Sequence, residues 1–163
     1  MKIIGISGKK RSGKDTVAAL IKERFPRSVI YHFAGPLKKE VSRAIGYSLD
    51  HLEKNKPSFR TLLQGWGDYR KNLYGEDFYV KLADEALIQL NMFEIVIIPD
   101  LRFKCEFNWI NRMHGITIRV NRLGTSEDTH RSEIELDNET FDYVIENNGT
   151  LSQLLESVKA LPL

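Results

Sequence analysis

Gly8-Lys9-Lys10-Arg11-Ser12-Gly13-Lys14-Asp15-Thr16 is the stretch whose reading settles the fold. It matches G-x-x-x-x-G-K and follows the β-branched run Lys2 to Ser7, which reads as a buried strand. Behind it Val17, Leu20 and Ile21 recur at helical spacing until Pro26 ends the pattern. Strand, glycine loop, helix is the context in which this spacing cradles phosphate. Gly8 and Gly13 allow successive N–H groups to turn inward around phosphate oxygens, and the helix start adds its positive end. Lys14 can then reach the β- and γ-phosphates as a point charge. Where such loops carry Ser or Thr after the lysine, this one carries Asp15, with Thr16 next. A carboxylate is still an oxygen ligand suited to Mg²⁺, directly or through water. The bland alternative is a charged surface turn without a ligand.

Beyond the loop, short apolar runs alternate with longer amphipathic segments. Strands are expected at Val29 to Phe33, Glu94 to Ile98, Ile116 to Val120 and Asp142 to Glu146. Helices are expected at Leu37 to Ile45, Pro57 to Tyr74, Tyr79 to Leu90 and from Leu151 onward, the last with Thr150 and Gln153 at capping-box spacing. Leu123 to Asp137 reads as a polar, exposed flap. Strands separated by helices predict an α/β fold: a three-layer αβα sandwich around a five-stranded parallel sheet, as one domain over 1–163. Ligands of such sheets bind beyond the carboxyl ends of the strands.

The residues after each strand are therefore the chemical candidates. Asp100 closes an apolar strand and has Arg102 beside it; the carboxylate suits Mg²⁺ or its waters, the guanidinium a phosphate, and a structural Asp–Arg pair is the alternative. Lys38 faces either an acceptor phosphate or solvent. Arg60, Gln64 and Asp68 share one helix face at i, i+4, i+8, with Leu62, Leu63 and Trp66 expected to pack inward. Periodicity alone leaves that row a solvated face. Arg122 opens the flap and Arg131 lies within it, where a mobile arginine would close over phosphates. Arg119 sits inside a strand and is equally well a structural group, as is His130 on the surface.

Together Gly8 to Asp15, Phe33-Ala34-x-Pro36-Leu37-Lys38, Leu63-Gln64-Gly65-x-Gly67, Asp100-Leu101-Arg102-Phe103 and His130-x-Ser132-Glu133 resemble bacteriophage deoxynucleoside monophosphate kinases. The resemblance spans nearly the whole chain, including Asn147-Asn148-Gly149-Thr150-Leu151, and its Asp15 and Pro36-Leu37-Lys38 features are shared with phosphomevalonate kinases. It implies ATP with Mg²⁺ as donor and a deoxynucleoside monophosphate as acceptor. Arg11, Lys14, Arg122 and Asp100 would serve catalysis, with Asp15 and Asp100 on the metal. Gly8, Lys9, Ser12, Gly13, Thr16, Asn148 and Gly149 would complete the ATP site. Lys38, Arg60, Gln64, Asp68, Arg102 and Arg131 would hold the monophosphate. An acceptor region at about 34–90 and a lid at about 122–133 are implied, and a homodimer is compatible with the family. Two other readings are a small-molecule kinase of phosphomevalonate or dephospho-coenzyme A type and a non-catalytic nucleotide-binding switch.

The totals fit this picture. A chain of 163 residues can bury a core without disulfides, and Cys105 is the single cysteine, so no intramolecular disulfide forms. A net charge of +2 calls for neither nucleic acid nor an anionic membrane as partner. No apolar run approaches spanning length and no secretory signal is read, so a cytoplasmic protein (host cytoplasm if phage-encoded) is expected. The sequons at Asn138 and Asn148 are then chance matches.

Overall fold

The computed structural model describes residues 1–125 and 130–163. Its elements run β1 (Lys2–Ser7), α1 (Lys14–Arg24), β2 (Ser28–Ile30), α2 (Ala34–Ile45), α3 (Leu49–Lys54), α4 (Lys56–Tyr74), α5 (Phe78–Gln89), β3 (Ile95–Ile98), α6 (Lys104–Arg112), β4 (Ile116–Asn121), α7 (Arg131–Ile134), β5 (Tyr143–Glu146) and α8 (Leu151–Lys159). The chain divides into two compact units, residues 1–32 with 89–163, and residues 33–88.

The first unit holds the sheet, all parallel, in the order β2-β3-β1-β4-β5. Period-2 alternation assigns its two faces. Ile4 and Ile6 of β1, Ile95 and Ile97 of β3, and Ile118 and Val120 of β4 join Val17 and Ile21 of α1 and Leu154 and Val158 of α8 in one buried cluster. Gly5, between Ile4 and Ile6, belongs to the opposite face, where α6 lies. A Cβ there would come within 2.2 Å of Ile110 Cδ1, so the Ile110 side chain fills the space that a side chain at position 5 would need. Helices thus cover both faces, as parallel strands without a polar side require. The strand order reverses at β1, with β3 and β2 on one side and β4 and β5 on the other. That reversal is where such folds bind ligands, and the glycine loop begins there.

The second unit is helical. Val41 of α2, Leu52 of α3 and Leu63 of α4 form its core, with Leu37, Ile45, Phe59 and Trp66 packed around them. Gly46, at φ 72°, ends α2 in the left-handed conformation, and Ser48 Oγ caps α3 by accepting from the His51 N–H.

Several expectations are corrected. The second strand stops at Ile30, three residues short, and α2 begins at Ala34 rather than Leu37. Helices α3 and α6 have no counterpart in the sequence reading. The flap contains α7 and two anchors, Glu133 and Leu136, which are buried. Leu62 is 38% exposed instead of packing inward with Leu63. The capping box at Thr150 and Gln153 is present. No helix among the described residues is long and apolar enough to cross a membrane.

Candidate active site

The loop between β1 and α1 has the form the sequence predicts. Gly13 sits at φ 101° as the residue before α1, where an L side chain would be strained. A Cβ on Gly13 would meet Asn147 Nδ2 at 2.3 Å, and one on Gly8 would meet Ser12 Oγ at 2.4 Å and Val120 O at 2.5 Å. Both glycines are therefore needed for space as well as for angle. Arg11 adopts φ 66° and is exposed; a non-glycine residue held in that region costs on the order of 1 kcal/mol, a strain typical of ligand-clamping loops. Lys14 is 7% exposed at the first turn of α1. Ser12 Oγ is buried with no hydrogen-bond partner among the described residues. A buried hydroxyl without a partner inside a glycine cradle fits a phosphate-bearing ligand.

Asn147, which the sequence reading passed over in favour of its neighbour, donates from Nδ2 to Ser12 O at 2.8 Å in a buried position. It ties the end of β5 to the phosphate loop. Asn148 instead accepts the Leu123 N–H at 2.8 Å, joining the β5 turn to the start of the flap. Asp15 and Thr16 are exposed on the first turn of α1. Asp100, at the carboxyl end of β3, lies 3.8 Å from His32 Nδ1. Burial, with the Asp100 charge, pushes the Tyr31 phenol up to about 12, so it stays neutral at any working pH.

The segment after β4 returns to the loop through ion pairs. Glu133 accepts the Lys10 backbone N–H at 2.9 Å and pairs with Arg102, which also donates to Ser132 O. Burial alone would raise the Glu133 carboxyl, but Arg102, the Lys10 N–H and the Lys14 charge outweigh it and hold it below the usual range. Lys9 donates to Glu133 O at 2.6 Å and pairs with Asp137, which also binds Arg119 at 2.6 Å. Burial opposes ionisation of Asp137, and its bonds to Lys9 and Arg119 lower it nonetheless. Arg119 donates to Ser7 Oγ as well, so it braces the sheet edge. His130 caps α7, accepting from the Ser132 N–H, and Arg131 pairs with Glu135 over the Phe103 ring. Arg122 is exposed, and the lid expected at 122–133 falls in part on residues 126–129, outside the described residues.

Lys9, Lys10, Lys14, Arg102 and Glu133 thus converge at the carboxyl edge of the sheet. In the second unit Arg60 and Gln64 are half-buried and Asp68 exposed along α4, and buried Lys71 extends their row by one turn. Lys38 pairs with Glu53 at 2.5 Å; burial would raise that carboxyl, yet Lys38 and Lys56 hold it low.

A sequence model described as phosphomevalonate kinase matches residues 6–115, two thirds of the chain. The chain belongs to this family of P-loop kinases. Within the family it is 30% identical to a putative deoxynucleotide monophosphate kinase of Acanthamoeba polyphaga mimivirus, over 97% of this chain and 94% of the relative. It is 28% identical to phosphomevalonate kinase of Drosophila melanogaster, over 94% of this chain and 92% of that one. The deoxynucleotide monophosphate kinase of Enterobacteria phage T4 matches at 26% over 98% of each. A solved Thermus thermophilus structure superposes with a TM-score of 0.56 at 21% identity, covering 98% of this chain and 95% of the other, a likeness of fold. Membership makes the chain an ATP-dependent phosphotransferase.

Proposed function

We propose that the chain transfers the γ-phosphoryl group of ATP to a deoxynucleoside monophosphate, giving the deoxynucleoside diphosphate and ADP. The transfer itself is carried by the phosphate loop, with buried Lys14 at the helix start and the unpartnered Ser12 hydroxyl beside it. End-to-end similarity to two viral relatives with that activity in their names supports the acceptor. An acceptor phosphate oxygen attacks the γ-phosphorus, and the bond to the β–γ bridging oxygen breaks as ADP leaves. That oxygen is already nucleophilic at neutral pH, so no general base is required.

Catalysis then rests on alignment and on spreading of charge. Lys14, Arg11 and Arg122 stabilise the transferring group. Gly8, Lys9, Ser12, Gly13, Thr16, Asn148 and Gly149 complete the ATP site. Residues 34–90 form the acceptor region: Lys38, Arg60, Gln64 and Asp68, with Arg102 and Arg131, hold the monophosphate. Residues 122–133 form the lid, which excludes water and so suppresses ATP hydrolysis. Asp15 and Asp100 are the carboxylates suited to Mg²⁺. Among the described residues there is no group of three His, Cys, Asp or Glu side chains that could hold a metal ion by itself. When bound, that ion neutralises charge on the phosphates.

The deciding experiment is ADP formation from Mg-ATP with deoxynucleoside monophosphates, ribonucleoside monophosphates, phosphomevalonate and dephospho-coenzyme A as acceptors. Stimulation by deoxynucleotides is expected. Stimulation by phosphomevalonate alone would transfer the acceptor assignment to the second reading, which the matching sequence model and the Drosophila relative favour. No stimulation at all would leave a nucleotide-binding protein without transferase activity.

A further inference from the structure

The Glu133 side chain is only 1% exposed, and a carboxylate at that depth persists only where donors surround it. Its two oxygens take different partners. Oε2 accepts the Lys10 N–H of the phosphate loop at 2.9 Å, and Oε1 pairs with Arg102 Nη1. The Glu133 carbonyl also accepts from Lys9 Nζ at 2.6 Å, so one residue grips the loop twice. The Lys14 charge acts on the same carboxylate. Glu133 therefore stands between two like charges, Lys14 and Arg102, and offsets their mutual repulsion.

Arg102 is held without being consumed. Its backbone N–H donates to Glu106 Oε2 at 2.8 Å, and its Nη1 meets both Glu133 and Ser132 O. Nε and Nη2 make no hydrogen bond among the described residues. Those two nitrogens form an edge that can grip a phosphate bidentately. The side chain is 27% exposed, so Arg102, unlike Glu133, is open to solvent. Anchoring a guanidinium at one corner removes rotamer freedom that a ligand would otherwise have to restrict on binding.

We infer that Glu133 is a positioning residue for phosphoryl transfer, fixing the phosphate loop at Lys10 and presenting the Nε–Nη2 edge of Arg102 to the acceptor phosphate. This rests on the reading above that places Arg102 on the monophosphate. The carboxylate takes up no proton and touches no reacting atom. Its contribution is alignment, made before either substrate arrives.

The test is a double-mutant cycle of Glu133→Gln and Arg102→Ala, read as kcat and KM with whichever acceptor of the panel the wild type uses best. Calorimetric titration with ADP reports the phosphate loop separately, and circular dichroism verifies the fold of each variant. Glutamine keeps the shape but has a single acceptor oxygen, which stays on the Lys10 N–H because that donor is fixed in the backbone. Arg102 then faces an amide that cannot accept from it. Glu133→Gln is expected to raise the acceptor KM about tenfold, with the Kd for ADP altered less than about threefold. On the Arg102→Ala background it should alter the acceptor KM less than about twofold, because the group it acts through is gone. Arg102→Lys leaves Glu133 and its buried bonds to the loop unchanged, yet lacks the fork, and should raise the acceptor KM about tenfold as well. Additive losses in the cycle would overturn the proposal, as would an unchanged acceptor KM in Glu133→Gln or Arg102→Lys. Equal losses for ADP and acceptor would mark a merely structural carboxylate. A lowered acceptor KM would mean that Glu133 competes with substrate for Arg102, again overturning it. A wild type inactive with every acceptor would sink the kinase assignment and this inference together; an active wild type with an additive cycle would sink the inference alone.

Discussion

Asn147 carries a structural duty that its sequence surroundings do not announce. Its amide anchors the phosphate loop from 135 positions away, and the bond to Ser12 O is buried. Removing the donor leaves a buried carbonyl unsatisfied, at a cost of about 1–3 kcal/mol. Asn147→Ala should therefore lower the thermal midpoint and raise the KM for ATP, read by calorimetry and by initial rates. Lys14 behaves differently, because its charge belongs to the reaction. Lys14→Ala is expected to cut transfer by about a thousandfold or more while the circular dichroism spectrum is unchanged; retained turnover would remove the phosphate-loop mechanism. Lys14 was legible from spacing alone, since a local motif fixes its place. Asn147 was not, because a long-range contact made by β5 defines its role.

Among the elements, α4 presents two stripes with different fates. Leu63, Gly67 and half-buried Trp66 face the helical core, and Arg60, Gln64 and Asp68 form the polar row. If that row holds the acceptor, Arg60→Ala should raise the monophosphate KM on the order of tenfold and leave the ATP KM nearly unaltered. Equal effects on both would place Arg60 outside the acceptor site. At the other end of the chain Thr150 caps α8 by accepting from the Gln153 N–H. Thr150→Ala should cost about 1 kcal/mol, a drop of a few degrees in the thermal midpoint by calorimetry. The elements read correctly from sequence are those with regular apolar spacing or a recognisable cap. Helix α6 carries Phe107 and Ile110 at helical spacing, but its N-cap is Phe103 rather than Ser, Thr, Asp or Asn, and the N–H groups of Arg102 and Phe103 are met by the Glu106 carboxylate from within the helix. Helix α3, six residues long, is too short for any period to show.

The first unit is closed on itself by charge pairs that join the N-terminal loop to residues more than 120 positions later. Glu133 and Asp137 both have lowered pKa values in the folded state. Such groups stabilise the fold fully above their unfolded values, roughly 4.3 for Glu and 3.9 for Asp, and the contribution is lost as pH falls through the lower folded values. Urea midpoints of the wild type should thus fall on going from about pH 5 to pH 3 more steeply than those of a Glu133→Gln, Asp137→Asn double variant. Parallel curves would mean that these pairs contribute nothing measurable to stability.

The sequence by itself determined the parallel sheet, the glycine loop after its first strand and the lysine in that loop. Each follows from local periodicity or from the backbone freedom of a few glycines. Tertiary structure alone decided that Gly5 admits Ile110, that Glu133 meets both Arg102 and the Lys10 N–H, and that Trp66 and Tyr79 share a cavity with Arg43. Those outcomes depend on which distant segments the packed core brings together, and no spacing along a single chain encodes that choice.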